Sequence, residues 1–228
     1  MKVSIIGYGK MGQLIEKAAL ERKVEVVSTI DPFHPAATHK AFSDEAMLGV
    51  DVCICFSQPA VALENIADAC RWKKQVVVGT TGWVEQMDQV EQMVNENGVG
   101  LVYSSNFSIG VNIFFKIIEL ASQVINKFDV YDILGYEAHH NRKLDSPSGT
   151  AVTIGNILLD NIERKTEVFE DKLDRKIEPH ELHFSSMRGG NIPGTHAVLL
   201  DSEFDTIELK HTARSRTGFA IGSVIAAE

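Results

Sequence analysis

Near its start the chain reads Lys2-Val3-Ser4-Ile5-Ile6-Gly7-Tyr8-Gly9-Lys10-Met11-Gly12. An apolar run of strand length leads directly into the pattern G-x-G-x-x-G, and Met11 to Arg22 then has the amphipathic pattern of a helix. Gly7 permits a tight turn, Gly9 lets the backbone approach a pyrophosphate, and Gly12 allows the helix to pack closely on the strand. The segment therefore predicts a strand–turn–helix unit that binds a dinucleotide at the helix N-terminus.

The first hundred residues continue this alternation of short β-branched runs and helical patterns. Such an alternation is typical of an α/β fold, a Rossmann-type domain whose parallel sheet is buried on both faces. The predicted strands are Lys2–Ile6, Val24–Ile30, Asp51–Phe56, Gln75–Val78 and Val99–Ser104, and the predicted helices are Met11–Arg22, Ala60–Arg71 and Trp83–Asn97.

The pattern changes after Asn106, where helices are followed by strands. This order indicates a second, α+β domain built on an open mixed sheet. We predict a nucleotide domain over 1–106 and 213–228, and the second domain over 107–212. The predicted helices of the second domain are Ile109–Asn126 and Ser148–Glu163. Its predicted strands are Val130–Glu137, His180–Arg188, Thr195–Asp201 and Thr206–Thr212, of which the last three are antiparallel. Ala138–Pro147 is predicted as a loop, Lys165–Pro179 as a charged surface excursion, and Arg216–Ala227 as a further helix.

The second predicted strand ends at Asp31, about 20 residues after the last glycine of the turn, where an acidic residue accepts hydrogen bonds from the adenosine ribose. A 2′-phosphate would be repelled there by roughly 4 kcal/mol at ~4 Å and an effective dielectric of ~20. The residues Pro32-Phe33-His34 supply no fixed cation, although Lys10 is within reach of a phosphate. We therefore expect NADH to be the preferred cofactor and NADPH to be tolerated.

Two further loops follow predicted strands at the sheet edge where ligands of open α/β folds bind. Gly79-Thr80-Thr81-Gly82 has small residues that can pass close to a nicotinamide, and Ser104-Ser105-Asn106-Phe107 also serves as the link to the second domain. Either loop could instead be an ordinary turn. The predicted cofactor-binding residues are Gly7, Tyr8, Gly9, Lys10, Met11, Gly12, Asp31, Gly79, Thr80, Thr81, Ser104, Ser105, Asn106 and Phe107.

The composition limits the class of partner. The 228 residues carry a formal net charge of −9, which argues against a nucleic-acid partner because phosphate backbones attract basic surfaces. The sequence has no apolar run long enough for a membrane span and no signal-peptide pattern. Cys53 and Cys55 alternate in an apolar run, which favours buried packing over a metal or disulfide role. A cytoplasmic protein is expected.

The segment Glu137-Ala138-His139-His140-Asn141-Arg142-Lys143-Leu144-Asp145-Ser146-Pro147-Ser148-Gly149-Thr150-Ala151 combines two histidines, two cations and a helix start. Ser148, Gly149 and Thr150 would expose backbone N–H groups to an anion. Lys143 adds a positive charge within reach, and Arg216 could add another from far along the chain. The array suits a substrate with carboxylates, although a capped helix beside a solvated basic loop has the same pattern.

The same segment, as E-A-H-H-x-x-K-x-D-x-P-S-G-T-A, resembles the signature of dihydrodipicolinate reductases. The resemblance extends through the glycine-rich turn and the two loops above, and it covers most of the chain in the family's order. It also includes Ser105-Asn106-Phe107-Ser108-Ile109-Gly110-Val111-Asn112, Gly189 with Pro193-Gly194-Thr195-His196, and His211-Thr212-Ala213-Arg214-Ser215-Arg216. The family implies a homotetramer whose carboxy-terminal sheets pair, and a hinged closure of the domains over substrate.

The resemblance also implies residue roles. His139 is then the catalytic acid/base and Lys143 the proton donor, and a histidine that titrates near neutrality suits such a role. His140, Lys143, Gly149 and Thr150 would hold a dicarboxylate. The implied reaction is the NAD(P)H-dependent reduction of 4-hydroxy-tetrahydrodipicolinate or dihydrodipicolinate to tetrahydrodipicolinate, in diaminopimelate and lysine biosynthesis. No metal is expected.

Two other functions fit parts of the pattern. One is another small Rossmann dehydrogenase that acts on an imine or amino acid, and the other is a non-catalytic redox sensor that binds nucleotide and reports it to a partner. The double histidine with P-S-G-T argues against the first, and the lack of a basic helix-turn-helix argues against the second. Pro32 stands where a basic residue is frequent in the family, which weakens the case for NADPH.

Overall fold

The computed structural model describes every residue from Met1 to Glu228, and the chain divides into two compact units. The first comprises Met1–Ile109 with Arg216–Glu228, and the second comprises Gly110–Ser215. These limits fall a few residues after those placed from the sequence. The fold class is as predicted: a parallel Rossmann-type sheet in the first unit and a mixed sheet in the second.

The first unit contains five parallel strands in the order β2-β1-β3-β4-β5. Short 3-10 turns at Pro59–Val61 and Val84–Gln86 precede α3 and α4. The small helix α2 was not predicted. The strands are β1 Lys2–Ile6, β2 Glu25–Ile30, β3 Val52–Cys55, β4 Gln75–Val78 and β5 Leu101–Tyr103, and the helices are α1 Lys10–Glu21, α2 Asp44–Met47, α3 Ala62–Arg71, α4 Met87–Asn97 and, from the end of the chain, α7 Thr217–Ala227.

Both faces of this sheet are covered, as a parallel sheet requires. Along β3, Cys53 and Cys55 belong to a core cluster that includes residues of α3 and α4, whereas Val52 and Ile54 pack with residues of α1 and α7. All three cysteines of the chain are buried and free, which confirms that Cys53 and Cys55 pack in the core. The carboxyl ends of β1 and β3 are thereby held beside the glycine-rich turn.

The second unit contains a five-stranded mixed sheet in the order β10-β9-β6-β8-β7. Two helices pack on one face of it, where Ile133, Phe184 and Val198 form a core with residues of both helices. The strands are β6 Asp132–His139, β7 Glu167–Phe169, β8 Glu181–Arg188, β9 Thr195–Asp201 and β10 Thr206–Thr212, and the helices are α5 Ile109–Ile125 and α6 Gly149–Asn161.

The predicted run of three antiparallel strands is wrong at β8. This strand pairs with β6 in parallel, and β9 pairs with β6 from the opposite side in antiparallel fashion. Only β9 and β10 are antiparallel neighbours in sequence. The glycine-rich segment 189–194 therefore passes the end of β6 instead of closing a hairpin between β8 and β9.

The predicted surface excursion over Lys165–Pro179 also needs correction. It contains the short edge strand β7, which pairs with β8 in parallel. Lys165 is only 4% exposed, because its ammonium donates to the carbonyls of Pro179 and Glu181 and pairs with Asp132 at 2.7 Å. A buried lysine is tolerated when its donors are satisfied in this way.

The opposite face of the second sheet is more open than the face under α5 and α6. Leu134 is 38% exposed and Met187 50% exposed. Between them Tyr136 receives a hydrogen bond from Lys210 and donates one to Glu208. As for membranes, the helices of this chain are too short or too polar to cross a bilayer.

Candidate active site

The glycine-rich turn has the space that a dinucleotide needs. Gly7 has φ of +90°, and a Cβ atom there would lie 2.4 Å from the carbonyl oxygen of Phe56. A Cβ atom on Gly12 would lie 2.2 Å from the carbonyl oxygen of Gly7. Gly9, by contrast, has nothing within 4 Å of such an atom, and no side chain caps the start of α1. Open space beside uncapped N–H groups fits a pyrophosphate.

Asp31 follows β2 and is fixed by three backbone N–H groups. Oδ2 accepts from Tyr8 at 2.9 Å, and Oδ1 accepts from Phe33 and His34, each at 2.9 Å. Burial opposes ionisation, but these hydrogen bonds outweigh it and hold the pKa of Asp31 below its usual value. Tyr8 is itself anchored by a hydrogen bond to Glu16, which raises its pKa to about 12. A rigid carboxylate thus stands beside the turn.

A cavity of about 650 Å³ opens next to this carboxylate. Beside Lys10, the one cation expected within reach of a phosphate, the structure has Lys40 on the cavity wall, with its ammonium 2.8 Å from the His34 carbonyl oxygen. A bridge between Ile30 and His39 brings Lys40 there. Lys10 is exposed at the start of α1. The cavity lining includes Gly7, Gly9, Asp31, Phe33, Lys40 and Asn65.

A smaller cavity of about 200 Å³ is lined by Met11, Phe56, Gly79, Thr80 and Thr81, among others. A Cβ atom on Gly79 would lie 2.1 Å from the Phe56 ring, so only glycine lets this ring close the cavity wall. Thr80 is buried and its hydroxyl accepts a hydrogen bond from the backbone of the neighbouring loop. Predicted cofactor residues from the first and fourth strands are therefore neighbours in the first unit.

The loop after β5 is held by its own polar groups. The Ser104 hydroxyl accepts from the Asn106 backbone N–H, and the Asn106 side chain accepts from Ser108 at 2.9 Å. Phe107 is buried with its ring 5.9 Å from that of Phe56, whereas Ser105 is exposed. This loop therefore belongs to the same part of the first unit as the smaller cavity, through the contact between the two rings.

In the second unit, β6 carries the signature further into the strand than predicted. The predicted loop began at Ala138, but β6 runs to His139. The extension arises because β6 lies between two partners: Ala138 is in register with Met187 and His139 with Arg188 on β8. Side chains alternate along a strand, so Glu137 and His139 point to the same, helix-covered face.

Glu137 is fully buried and is the centre of a hydrogen-bonded cluster. Its Oε1 accepts from the Ser148 backbone at 2.9 Å, the Ser186 hydroxyl at 2.9 Å and Arg188 Nη2 at 2.7 Å. Its Oε2 accepts from the Ser148 hydroxyl and lies 3.3 Å from His196 Nε2. Burial alone would raise the pKa of Glu137, but these hydrogen bonds hold it well below its usual range.

His139 is 7% exposed and lies against this carboxylate. Its Nδ1 is 3.3 Å from Glu137 Oε2, and its ring is 5.1 Å from that of His196 in an edge-on arrangement. Burial lowers the pKa of His139 to about 4; Glu137 opposes this shift, while His196, Lys143 and Arg188 add to it. The expected titration near neutrality is therefore not a property of this ring in the unliganded protein.

The loop after β6 places His140 and Lys143 of the signature. Lys143 pairs with Asp145 at 2.8 Å. The His140 backbone N–H donates to Ile192 at 2.8 Å, and its ring Nδ1 accepts from Arg142. These contacts fix the loop against the glycine-rich segment that precedes β9.

The Glu137 carboxylate occupies the donors at the start of α6. Ser148 caps the helix through Ala151, but its own N–H and hydroxyl are both bonded to Glu137. Gly149 and Thr150 follow in the first turn. Arg216 lies at the start of α7 in the first unit and is exposed.

Glu137, Arg188 and His196 were not among the predicted site residues. Glu137 could have been found, because it is the first residue of the signature. Arg188 and His196 lie on other strands. Arg188 of β8 is in register with His139, and His196 belongs to a cross-strand row formed by Ser186, Glu137, His196 and His211 over β8, β6, β9 and β10. Such a row follows from strand pairing, which a single sequence does not specify.

Glu137, His139 and His196 also have the spacing of metal ligands, since their donor atoms lie within 4.8 Å of one another. The carboxylate oxygens are already engaged by Arg188 and Ser148. A cation beside the carboxylate and a hydroxyl bonded to it favour a hydrogen-bonded cluster over a metal site.

Comparison with known sequences matches both units. A family described as dihydrodipicolinate reductase, N-terminus, matches residues 1–107, and one described as dihydrodipicolinate reductase, C-terminus, matches residues 110–228. A 4-hydroxy-tetrahydrodipicolinate reductase of Christiangramia forsetii is 37% identical over 228 residues, covering 100% of this chain and 91% of the relative. The enzyme of that name from Methanococcus aeolicus is 33% identical, covering 99% and 91%.

Solved structures share the fold. The dipicolinate-bound dihydrodipicolinate reductase of Paenisporosarcina sp. TG-14 has a TM-score of 0.77 at 23% identity, covering 99% of this chain and 92% of that one. An amine dehydrogenase of Mycobacterium smegmatis has a TM-score of 0.63 at 12% identity, covering 98% and 90%. Since the two family matches span nearly all of the chain and curated relatives exceed 30% identity over its full length, the protein belongs to the dihydrodipicolinate reductase family.

Proposed function

We propose that this protein reduces 4-hydroxy-tetrahydrodipicolinate, or the dihydrodipicolinate formed from it by loss of water, to tetrahydrodipicolinate with NADH or NADPH. This is a step of diaminopimelate and lysine biosynthesis. The observation that carries the proposal is the arrangement of the family signature, in which His139 and the start of α6 contact the buried carboxylate of Glu137 and the charge of Lys143 acts on His139.

The first unit would hold the nucleotide. Gly7, Gly9 and Gly12 leave room for a pyrophosphate at the start of α1, and Asp31 would accept from the adenosine ribose. The other proposed cofactor residues are Tyr8, Lys10 and Met11 after β1, Gly79, Thr80 and Thr81 after β4, and Ser104, Ser105, Asn106 and Phe107 after β5. When bound, the nicotinamide supplies the hydride. NADH is the preferred cofactor because Asp31 carries a fixed negative charge, and NADPH is tolerated.

The second unit would hold the dicarboxylate. Lys143, His140, Gly149 and Thr150 supply positive charge and N–H groups, and Arg216 of the first unit is a further candidate. Ser148 contributes by starting α6, because its own donors are bonded to Glu137. A relative of the same fold binds dipicolinate, a planar dicarboxylate of this kind.

A proton must accompany the hydride to complete the saturated carbon. In the unliganded protein His139 is neutral near pH 7, since its pKa is about 4. Two carboxylates of a bound substrate would favour its protonated form by charge attraction and raise that pKa. His139 therefore becomes a useful acid on substrate binding, while Lys143 anchors the carboxylates and compensates their charge.

The assembly and location follow the same proposal. We propose a homotetramer built through the open faces of the second sheets, which the exposure of Leu134 and Met187 on that face supports. The proposed location is the cytoplasm, where this biosynthetic step takes place. No nucleic acid or membrane partner is proposed, in line with the formal charge of −9.

The proposal is tested by mixing the protein with freshly generated product of dihydrodipicolinate synthase and following NADH oxidation. Simple oxo acids with ammonia serve as the comparison. Oxidation with the first and none with the second supports the proposal, whereas the reverse result would identify an amino-acid dehydrogenase.

Replacing Lys143 by Ala should lower kcat/KM for the dicarboxylate by about 100-fold or more, because an anchoring charge–charge contact is lost. The Kd of NADH, measured by fluorescence titration, should stay within about twofold. Lys127→Ala, at an exposed position after α5, is the matched control. A redox sensor would be insensitive to both changes.

A further inference from the structure

A buried carboxylate touches the histidine to which the proposed function assigns proton transfer. Glu137 lies two residues before His139 on the same face of β6, and its Oε2 is 3.3 Å from His139 Nδ1. It has no exposed surface, so it cannot meet substrate directly. Its role must therefore act through its neighbours.

The carboxylate itself cannot move freely. Arg188, Ser186 and the backbone of Ser148 all donate to Oε1, and the Ser148 hydroxyl donates to Oε2. These donors come from β8 and from the start of α6, two elements on different sides of β6. Four hydrogen bonds from separate elements fix both oxygens, including the one that lies against the imidazole.

The histidine ring has two distinct nitrogens. Nδ1 is buried and is not aligned with any hydrogen-bond acceptor in this structure, although Oε2 is within 3.3 Å. Nε2 lies beside Gly194, where a Cβ atom would come within 3.1 Å of it, so the absence of a side chain keeps that nitrogen clear. An ionised carboxylate near Nδ1 favours the tautomer with the proton on Nδ1.

We propose that Glu137 is the positioning residue of His139: it holds the ring in the tautomer protonated at Nδ1 and thereby leaves Nε2 to take and give the proton of the reaction. The 3.3 Å contact becomes an aligned hydrogen bond when substrate binds, as catalytic hydrogen bonds of unliganded proteins commonly do. The inference rests on the proposed function for the role of His139.

The charged surroundings of His139 are consistent with this assignment. Glu137 on β6 favours the protonated ring, whereas His196 on β9, Arg188 on β8 and Lys143 in the loop after β6 all disfavour its protonation. The carboxylate therefore does two things: it selects the tautomer, and it offsets three neighbours that would otherwise keep the ring from accepting a proton.

The first experiment uses the full chain labelled with ¹⁵N-histidine and records the tautomer and pKa of His139 by NMR, with His139→Asn to assign the signal. In the wild type the Nδ1–H tautomer should predominate at pH 7. In Glu137→Gln, which keeps the shape and removes the charge, this preference should be lost and the pKa should fall. A wild-type ring protonated at Nε2 overturns the inference without any variant.

The second experiment measures turnover against pH for the same proteins. Glu137→Gln should lower kcat by about tenfold or more and move the alkaline limb of the profile about one to two pH units lower, because the protonated ring is less favoured. The Kd of NADH should be unchanged. An unshifted profile with lowered kcat would mean that Glu137 is only structural.

Ser186→Ala is the matched control, since it removes one hydrogen bond from Glu137 but keeps the carboxylate and Arg188. It should keep the Nδ1–H tautomer and retain kcat within about threefold. If Ser186→Ala reproduces the shift of Glu137→Gln, the carboxylate charge is not the cause and the inference fails. A wild type with the Nδ1–H tautomer but no turnover would instead reject the proposed function alone.

Discussion

At the scale of single residues, the burial of His139 has a consequence for stability. The pKa of this ring is about 4 in the folded protein and near 6.5 in an unfolded chain. The unfolded state therefore binds more protons between these two values, and stability rises with pH across this window. The contribution is fully present above about pH 6.5 and is lost as the pH falls towards 4.

His139→Asn should therefore flatten the dependence of the free energy of unfolding on pH between about 4 and 6.5, by about 3 kcal/mol or less. Urea unfolding at a series of pH values measures it. Equal slopes in His139→Asn and the wild type would contradict the low pKa.

Lys40 lies on the wall of the large cavity that Asp31 also lines, and it is the residue that we expect to make NADPH acceptable. Lys40→Ala should raise the Kd of NADPH by about tenfold, since a charge-assisted contact to the 2′-phosphate is lost, and should leave the Kd of NADH unchanged. Isothermal titration with both nucleotides measures the ratio. If Lys10→Ala instead raises the Kd of NADPH selectively, Lys10 rather than Lys40 contacts the 2′-phosphate.

At the scale of elements, two glycines of the strand–turn–helix at the start of the chain have different tasks: Gly12 lets α1 pack closely, and Gly9 leaves room for the ligand. If the backbone did not move, Gly12→Ala would place a methyl group 2.2 Å from the Gly7 carbonyl oxygen, so α1 must shift. We expect a loss of about 1–3 kcal/mol of stability together with weaker NADH binding. Thermal melting and nucleotide titration of the same sample measure both.

Gly9→Ala is the informative comparison, because nothing lies within 4 Å of the added atom. Its melting temperature should stay close to that of the wild type, whereas its affinity for NADH should fall because the methyl group enters the space of the pyrophosphate. A stable Gly9→Ala protein with full affinity would place the pyrophosphate elsewhere.

Most of the first unit could be predicted from sequence because its signals are local. The glycine spacing, the acidic end of β2 and the alternation of strands with helices each lie within a few dozen residues. Lys40 escaped prediction because it depends on the bridge between Ile30 and His39.

The second unit was harder for a physical reason. An alternating pattern marks β8 as a strand but does not specify its partner, and the prediction of antiparallel neighbours failed there. The cluster around Glu137 depends on the same pairing, so the contacts of Arg188 and His196 with this carboxylate were not predicted, although Glu137, His139 and His196 all stood in the segments quoted for the resemblance.

At the scale of the whole molecule, the open face of the second sheet is where we expect the proposed tetramer to form. Met187→Glu, which puts a charge on that face, should convert the assembly into smaller species in analytical ultracentrifugation. Leu48→Glu, at an apolar position of the first unit that is 79% exposed, is the control. A wild type that sediments as a monomer would reject the tetramer, and a variant that stays tetrameric would move the interface to another surface.

The return of α7 to the first unit imposes an order on biosynthesis at the ribosome. Ala220 and Val224 of this helix are buried in the same cluster as Val3 and Ile54, so the parallel sheet lacks part of its cover until the segment from Arg216 to Glu228 has been translated. The unit formed by Gly110–Ser215 is contiguous and is available for folding earlier. In the nascent chain the first unit is therefore still incomplete when all of the second unit, with its histidine cluster, has been made. The unfinished first unit is the part of the chain that we expect chaperones to bind during synthesis.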